Sequence, residues 1–568
     1  MPKIKILDED TINKIAAGEV IERPASVVKE LIENSIDAGA TRILIEVSEG
    51  GKSLIKVTDD GCGIDCEDLP LAFQKHATSK ISGPKDLSNI KTMGFRGEAL
   101  SSIASVARSI EAYTKIKTAL NGTYMRLENG RIIEANEIGC PIGTSIAVMD
   151  LFHNLPARRK HLTSAERELA FIIDLVTEIA IINPGISFEL FTGNKTFFKS
   201  ARSKTWYDVL LRVYGLKAMK NIVEFQTETD QWTLKGVASS SLFTRSSPDR
   251  IFIYVNGRAI HSKTLIAALR DSYKSIIPSG RYPMAVVSLE INPERVDVNV
   301  HPTKREIHIL MEEEISTALT SAVSLALREK SNARTDAETS RMQPMDAIRA
   351  EIIHPSEQRT FHLMGTDAID SSLVSEKPTR LRVIGQILDL YVLAEYDKGL
   401  MMVDQHAAAE RIRFEHLLEK YANKTISQEL AEPVIVELAP NEIILLESWQ
   451  ETLKEMGFDI APFGGNACRV QAVPALGRKL ENPEILHDVL RDLFALRKVS
   501  PDSTKKDEML KILACRGSIK SGHKMTLAEM SSLLEELFAC PNHLTCPHGR
   551  PIAVLFRMEQ LEKFFDRR

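Results

Sequence analysis

Apolar residues near the N-terminus follow first a helical period and then a strand period. The segment from Pro24 to Gly39 opens with a residue that suits a first helical turn and closes with one that suits a helix end. Its apolar residues recur with helical spacing: Val27, Val28, Leu31, Ile32 and Ile36. Residues 43–57 alternate with a period of two, interrupted by Gly50 and Gly51. The pattern predicts a buried helix followed by a β-hairpin.

The remaining pattern divides the chain into domains. At 568 residues the chain exceeds what one core can hold, which is about 250–300 residues. Residues 1–205 mix helix and strand periods, and the helical segment TWYDVLLRVYG opens a second mixed domain, 206–330. Residues 331–381 hold one aromatic residue, Phe361, and no sustained period, which predicts a flexible linker. Strands and helices resume in 382–568, so the predicted fold class is α+β and multidomain.

Composition restricts the cellular compartment of the protein more than it restricts the function. The net charge of -5 gives no overall cationic surface, so any contact with nucleic acid must come from local basic patches. Seven cysteines, in a chain without a charged-then-apolar leader, predict a reducing compartment and no disulfide framework. No stretch reaches the about 18 uninterrupted apolar residues of a transmembrane helix. We expect a cytoplasmic protein without a membrane partner.

Polar residues of the predicted helix and hairpin form a first candidate site. Three of them share one helix face, at positions i, i+4 and i+7: Glu30, Asn34 and Asp37. Such a face is most often solvated. The hairpin ends at Asp59, which is followed by Gly61 and Gly63. A carboxylate there can accept a hydrogen bond from an amino group of a flat ring such as adenine, and an Asp-capped turn is the alternative.

The segment GFRGEALSSIASV, from Gly94 to Val106, places two glycines before an Ala/Ser-rich helix. Gly94 and Gly97 free the backbone to point several N–H groups inward. The helix that begins near Glu98 offers its N-terminal dipole to an anion. A phosphate chain would fit there. The segment contains no G-x-x-x-x-G-K-[ST] motif, so it is not a Walker loop.

The order of these motifs resembles the ATP-binding GHKL (Bergerat) fold of gyrase B subunits, heat-shock chaperones, sensor histidine kinases and MutL proteins. The sequence NKIAAGEVIERPASVVKELIENSIDAGAT, followed by GFRGEALSSIASV, is similar to the MutL family of mismatch-repair proteins over most of residues 1–330. This resemblance implies an α/β sandwich ATPase domain at 1–205 and a ribosomal-S5-like transducer domain at 206–330. It also implies ATP and Mg²⁺ as cofactors and a MutS-type mismatch recognition protein as partner.

The same resemblance assigns roles to residues of both domains. Glu30 would activate the attacking water, Asn34 would supply an oxygen to Mg²⁺, and Asp59 would bind the adenine amino group. Further ATP-binding residues would be Gly61, Gly63, Thr78, Lys80, Gly94, Phe95, Arg96, Gly97 and Thr144. Lys304, in the segment VDVNVHPTKREI, would reach a terminal phosphate from the second domain. Relatives often carry Asn at the position of Asp60, which leaves the predicted site in place.

Two short basic clusters are candidates for contact with duplex DNA: PARRKHL at 156–162 and NGRAIHSK at 256–263. Clusters of this length are more often solvated surface, and the residues alone leave both interpretations open. The resemblance favours DNA contact, which would depend on salt and not on base sequence.

The C-terminal domain offers ligand types for a divalent metal. A predicted strand ends at Asp404, and His406 and Glu410 are four residues apart in the helix that follows. Such groups at a helix start more often cap it or lie on the surface. Near the C-terminus, Cys546 and His548 form a C-x-H turn that suits zinc. A buried structural cysteine beside a surface histidine is the alternative.

Three motifs of this domain resemble MutL proteins that are endonucleases: D-Q-H-A-x-x-E-x-x-x-x-E, A-C-R and C-P-H-G-R-P. The resemblance implies a C-terminal α/β dimerisation and endonuclease domain, a homodimer, and a site for Zn²⁺ and/or Mn²⁺. Its metal ligands would be Asp404, His406, Glu410, Cys515, Cys546 and His548, with Asp404 and Glu410 catalytic. Glu415 would support the site or the fold. A second A-C-R, at Cys468, lacks the continuation found in the family.

A short motif, Q-x-L-x-x-P, occurs in SQELAEPVIV with Gln428, Leu430 and Pro433. Clamp-binding segments of bacterial MutL proteins look like this and lie at a similar distance after D-Q-H-A. Peptides of this form often arise by chance, and a surface strand is the alternative. We expect the three residues to bind a sliding clamp.

These patterns favour one function over two alternatives. The first hypothesis is an ATP-switched mismatch-repair protein that hydrolyses ATP and nicks duplex DNA as a metal-dependent endonuclease. The main alternative is a matchmaker, an interaction protein whose C-terminal metal is only structural. Loss of Asp404 or Glu410 would have indicated this alternative, and both residues are present. A topoisomerase or chaperone ATPase is disfavoured because the C-terminal half contains no Asp-x-Asp metal motif.

Overall fold

The computed structural model divides the chain into two compact units. The residues it describes are 21–80, 97–240, 244–245, 248, 250–274, 276–277, 282–297, 308–339, 381–396, 399–422, 427–475, 483–495, 505–517 and 524–564. The first unit comprises residues 1–337, 437–449 and 463–468, and the second comprises 338–436, 450–462 and 469–568.

A mixed sheet forms the N-terminal part of the first unit. Its strands are β1 (Arg42–Ser48), β2 (Leu54–Asp59), β3 (Ser109–Lys115), β4 (Gly122–Glu128), β5 (Arg131–Ile138), β6 (Gly143–Met149), β7 (Ser187–Thr192) and β8 (Lys195–Lys199). They lie in the order β5-β4-β3-β6-β2-β1-β7-β8. β1 pairs with β7 in parallel, and the other neighbours are antiparallel. Ile43, Ile45 and Val47 of β1 are fully buried, as their alternation predicts.

Helices accompany this sheet and bury the apolar stripe found in the sequence. They are α1 (Pro24–Asp37), α2 (Leu69–Ala72), α3 (Ala99–Val106), α4 (Pro156–His161) and α5 (Ala165–Ile182). α1 packs against α5 and β2, with Val27, Val28 and Ile32 fully buried. The predicted hairpin is present, and its turn is a short 3₁₀ segment, Glu49–Gly51. The prediction of a mixed α and β fold is confirmed.

A second sheet follows within the first unit. Its strands are β9 (Ile222–Glu228), β10 (Trp232–Ser239), β12 (Ile251–Val255), β13 (Arg258–Ile260) and β15 (Ala285–Ile291), in the order β13-β12-β15-β10-β9. Two short pairs accompany it: β11 (Thr244–Arg245) with β14 (Tyr282–Pro283), and β16 (Val296–Asp297) with β17 (His308–Ile309). The helices are α6 (Trp206–Lys220), α7 (Lys263–Asp271) and α8 (Glu312–Thr339).

The last of these helices, α8, extends beyond the start predicted for the linker. Ile315, Leu319 and Val323, spaced four residues apart, are fully buried and attach its N-terminal part to the domain core. The helix then continues through Ser331 to Thr339. Helical backbone therefore occupies the beginning of the segment 331–381.

The C-terminal half contains two smaller sheets. One consists of β18 (Leu381–Ile387), β19 (Tyr391–Tyr396), β20 (Gly399–Asp404) and β24 (Ala553–Arg557), in that order. The other consists of β21 (Ser427–Glu437), β22 (Asp459–Gly464) and β23 (Ala467–Pro474), in the order β21-β23-β22. The helices are α9 (Gln405–Ala422), α10 (Pro440–Glu455), α11 (Pro483–Ala495), α12 (Lys505–Gly517), α13 (Leu527–Ala539) and α14 (Met558–Phe564). α9 follows β20 directly and packs against α12 and α13.

Candidate nucleotide site and metal centre

The polar face of α1 receives a lysine from a distant segment. Glu30, Asn34 and Asp37 are half-buried on this helix. Lys80 Nζ donates to Asn34 Oδ1 at 2.9 Å and to Asp37 Oδ2 at 2.5 Å. Two oxygens of α1 thus already surround a cationic group. Amide and carboxylate oxygens are also the ligands that Mg²⁺ takes, so the residues present fit that ion.

Asp59, at the end of β2, is held by three hydrogen bonds. Ser35 Oγ donates to its Oδ2 at 2.8 Å, and the backbone N–H groups of Gly61 and Thr144 donate to its Oδ1 at 2.9 and 3.3 Å. Burial raises the pKa of the Asp59 carboxyl, and the three hydrogen bonds oppose that rise. The neighbouring Asp60 accepts backbone hydrogen bonds from the start of β1 instead. Asp59 is therefore tied to α1 through Ser35 and to β6 through Thr144, whereas Asp60 is tied to the start of β1.

Two glycines of the predicted site allow close backbone approach. Gly63 has a φ of 76°, and a Cβ there would lie 2.2 Å from a carbonyl oxygen of β3. Gly97 has a φ of 66°, and a Cβ there would lie 2.6 Å from the carbonyl oxygen of Ala77. Gly97 thus lies against the segment that carries Thr78 and Lys80. The other predicted ATP-binding residues lie outside the described residues: Gly94, Phe95, Arg96 and Lys304.

The two basic clusters differ in how far their side chains are exposed. The cluster at 156–162 forms α4, whose exposed side chains include Arg159, Lys160 and His161. In the other cluster, Arg258 of β13 is half-buried. Burial lowers the pKa of Arg258, while the negative charges of Glu33 and Asp37 on α1 oppose that change. The charges of α1 therefore act on Arg258, whereas the other basic residues of its cluster, His261 and Lys263, are exposed like those of α4.

The junction of β20 and α9 holds three of the predicted metal ligands. Asp404 Oδ1 accepts from the backbone N–H groups of His406 and Ala407 at 2.9 and 3.0 Å, so Asp404 caps the helix. His406 Nε2 lies 3.2 Å from Glu410 Oε1, one helical turn away. The spacing predicted that these two side chains meet, and they do.

A carboxylate, a thiol and an imidazole converge beside this helix. The ligand atoms of Glu410, Cys546 and His548 all lie within 4.8 Å of one another. Glu410 and Cys546 are buried, whereas His548 is exposed and its Nδ1 lies 3.5 Å from Glu410 Oε2. Sulfur, nitrogen and oxygen donors at this separation suit Zn²⁺, and a carboxylate and an imidazole also suit Mn²⁺.

Cys515 and Cys468, the cysteines of the two A-C-R motifs, lie in different elements. Cys515 lies on α12, which packs against α9, but its side chain is outside the described residues. Cys468, the second A-C-R cysteine, is fully buried on β23, and burial raises its pKa to about 11. Cys468 is therefore a thiol of the fold interior.

The Q-x-L-x-x-P motif lies on β21, an edge strand of its sheet. Gln428 and Leu430 are half-buried on one face of the strand, and Pro433 is exposed. A proline is tolerated at a sheet edge because no ladder hydrogen bond is lost there. The surface-strand interpretation and the clamp interpretation are both compatible with this position.

Three family models match the chain in the order of its domains. The model for histidine kinase-, DNA gyrase B- and HSP90-like ATPases matches residues 21–144. The C-terminal domain of DNA mismatch repair proteins matches 210–328, and the MutL C terminal dimerisation domain matches 384–525.

Curated relatives match over the full length. DNA mismatch repair protein MutL of Methanothrix thermoacetophila is 52% identical, with 100% of both chains covered. The protein of the same name from Caldanaerobacter subterraneus subsp. tengcongensis is 36% identical, again over 100% of both chains. The chain belongs to the MutL family of DNA mismatch repair proteins. A solved N-terminal domain of a DNA repair protein is 28% identical and covers 57% of this chain and 99% of its own, with a TM-score of 0.50.

As a member of the MutL family, the chain has a GHKL-type ATPase domain and a MutL C-terminal dimerisation domain. No described helix combines the length and hydropathy that a membrane span requires. The motifs did not identify three contacts of the candidate sites: Ser35 with Asp59, Lys80 with Asn34 and Asp37, and Arg411 with the carbonyl oxygen of Thr545, which precedes the C-x-H turn. These contacts join residues that are far apart in the sequence, so no local pattern could have predicted them.

Proposed function

We propose that this chain is an ATP-switched mismatch-repair endonuclease that couples recognition by a MutS-type protein to nicking of duplex DNA. The observation that carries the proposal is the convergence of Glu410, Cys546 and His548 in a MutL C-terminal domain. This arrangement places a buried carboxylate beside a thiol and an imidazole, and all three are ligand types for Zn²⁺. A bound divalent metal would stabilise it.

In the nucleotide site, Asp59 would accept a hydrogen bond from the adenine amino group. Asn34 would supply an oxygen to Mg²⁺, which when bound neutralises charge on the phosphates. Glu30 would take a proton from the attacking water. Lys80 would leave Asn34 for a phosphate oxygen, and Lys304 would contact the terminal phosphate. The other ATP-binding residues keep the roles that the family resemblance implies.

In the metal centre, Zn²⁺ or Mn²⁺ would supply Lewis acidity and lower the pKa of a bound water. Glu410 would be the central ligand, and His406, whose Nε2 lies 3.2 Å from Glu410 Oε1, would be a second ligand. Cys546, which is buried, and His548, which is exposed, would be further ligands. Asp404 caps α9 through Oδ1, so Oδ2 is the oxygen that a metal would use.

One observation favours the alternative, a matchmaker whose metal is only structural. Asp404 caps a helix, and the convergent group found among the described residues has three members, without Asp404 or His406. A structural site uses its ligands to hold the fold and needs no open position for water.

Nicking of supercoiled plasmid with Mn²⁺ distinguishes the two functions. We expect the parent protein to nick and Glu410→Gln to lose at least about 100-fold in rate, because a central ligand contributes more than the 10–100-fold of outer groups. Glu419→Gln, an exposed acid on the same helix, is the matched control and should nick like the parent. Absence of nicking by the parent, with ATP turnover intact, would instead support the matchmaker.

The dimerisation domain offers one sheet face for a second copy. In the sheet formed by β18, β19, β20 and β24, Val392 and Val403 are fully buried on one side. Leu393, Met402 and Val554 lie side by side on the opposite face and are half-exposed. We propose that this face forms the homodimer interface.

We also propose that α4 contacts DNA and that β21 binds a sliding clamp. The domains would be 1–205, 206–330 and 382–568, with a linker at 331–381 whose first residues, up to Thr339, continue α8.

A further inference from the structure

Arg411 is a charged residue buried beside the metal centre. It follows Glu410 on α9, and its side chain is only 7% exposed. Its Nε donates to the carbonyl oxygen of Thr545 at 2.6 Å, and its Nη1 donates to Glu415 Oε1 at 3.0 Å. A buried guanidinium destabilises a fold unless it is paired and hydrogen-bonded. This one has both kinds of partner, and they lie in two different elements.

The backbone partner of Arg411 belongs to the turn that carries two of the proposed metal ligands. Thr545 immediately precedes Cys546, and it forms an isolated β-bridge with Pro551. Within the turn, Cys546 N donates to the carbonyl oxygen of Arg550 at 2.8 Å, and Gly549 N donates to that of Cys546 at 2.9 Å. These bonds make the turn a compact unit, so a group that holds Thr545 also sets where Cys546 lies.

We propose that Arg411 is a positioning residue that fastens the C-x-H turn to α9 and so brings Cys546 and His548 to Glu410. Glu415, the second acid of the D-Q-H-A-x-x-E-x-x-x-x-E motif, neutralises Arg411 and is not a metal ligand. A planar guanidinium can donate to Thr545 and Glu415 in two fixed directions, which a lysine cannot do. This inference rests on the proposed metal centre, because it concerns how that centre is assembled.

Cobalt binding to the full-length chain tests the inference without using nicking activity. Co²⁺ bound to a thiolate gives an intense near-ultraviolet absorption, and the part of it that Cys546→Ser abolishes reports the Cys546 contact. We expect Arg411→Lys to weaken Co²⁺ binding by about 10–100-fold, the range found when groups that orient ligands are removed. Glu415→Gln keeps an acceptor but loses the charge, and it should weaken binding by a smaller factor.

Arg382→Gln is the matched control, since Arg382 is an exposed arginine paired with Glu395 on the neighbouring strand. It should bind Co²⁺ like the parent. Arg411→Lys or Glu415→Gln with parental Co²⁺ affinity would overturn the inference, and if Arg411→Lys does not fold, Glu415→Gln decides it alone. Failure of the metal centre itself is distinguishable: the parent would then lack the thiolate absorption, or Cys546→Ser would retain all of it.

Discussion

Ser35 contributes a hydroxyl to the nucleotide site that no motif identifies. Its Oγ lies 2.8 Å from Asp59 Oδ2 and 3.1 Å from the carbonyl oxygen of Leu31. Because burial raises the pKa of Asp59, each donor that favours the ionised form keeps an acceptor available for adenine. Ser35 therefore favours the ionised form of Asp59 and also holds its side chain in position.

At this same scale, we expect Ser35→Ala to weaken ATP binding by about 10-fold, since a hydrogen bond to a charged group contributes about 1.5–3 kcal/mol. The pKa of Asp59, already raised, would rise further, so ATP affinity would fall on acidification at a higher pH than in the parent. Titration of ATP binding against pH measures both effects. Ser145→Ala removes a hydroxyl paired with Thr58 on the same sheet and serves as control. Identical pH profiles for Ser35→Ala and the parent would exclude this role.

At the scale of elements, the sequence predicts the helices and strands whose apolar residues recur at a regular spacing. The bounds of α1 follow from Pro24 and a stripe of apolar residues, and β1 and β2 follow from alternation. The end of α8 was not predictable, because residues after Ser331 lack an apolar stripe yet continue the helix. The contact of Arg411 with Thr545 spans 134 residues, so only the folded chain reveals it.

The position of β21 at a sheet edge leads to a prediction at the scale of elements. Gln428→Ala should reduce binding of the full-length chain to a sliding clamp by at least about 10-fold, because anchor residues commonly cost 2 kcal/mol or more when truncated. Glu429→Gln alters the adjacent, exposed residue on the other face of the strand and should leave binding unchanged. Surface plasmon resonance with immobilised clamp measures both. Equal affinity for Gln428→Ala and the parent would mean that β21 is an ordinary surface strand.

At the scale of the whole molecule, the two candidate chemistries belong to different units. The nucleotide-site residues lie in the first unit, and the cluster of Glu410, Cys546 and His548 lies in the second. Coupling between two sites requires a state of the molecule that both ligands favour. A dimer held by the C-terminal domains would provide it, since ATP could then change how two N-terminal halves associate while the pair stays together.

That dimer should exist without nucleotide and should depend on the apolar sheet face of the dimerisation domain. Met402→Glu places a charge in the centre of the row formed with Leu393 and Val554. Burying an unpaired carboxylate opposes association strongly, so light scattering should give the mass of one 63.4 kDa chain in place of two. Leu527→Glu, at an exposed apolar position of α13, should remain dimeric. A folded Met402→Glu protein that still has the dimer mass would place the interface elsewhere.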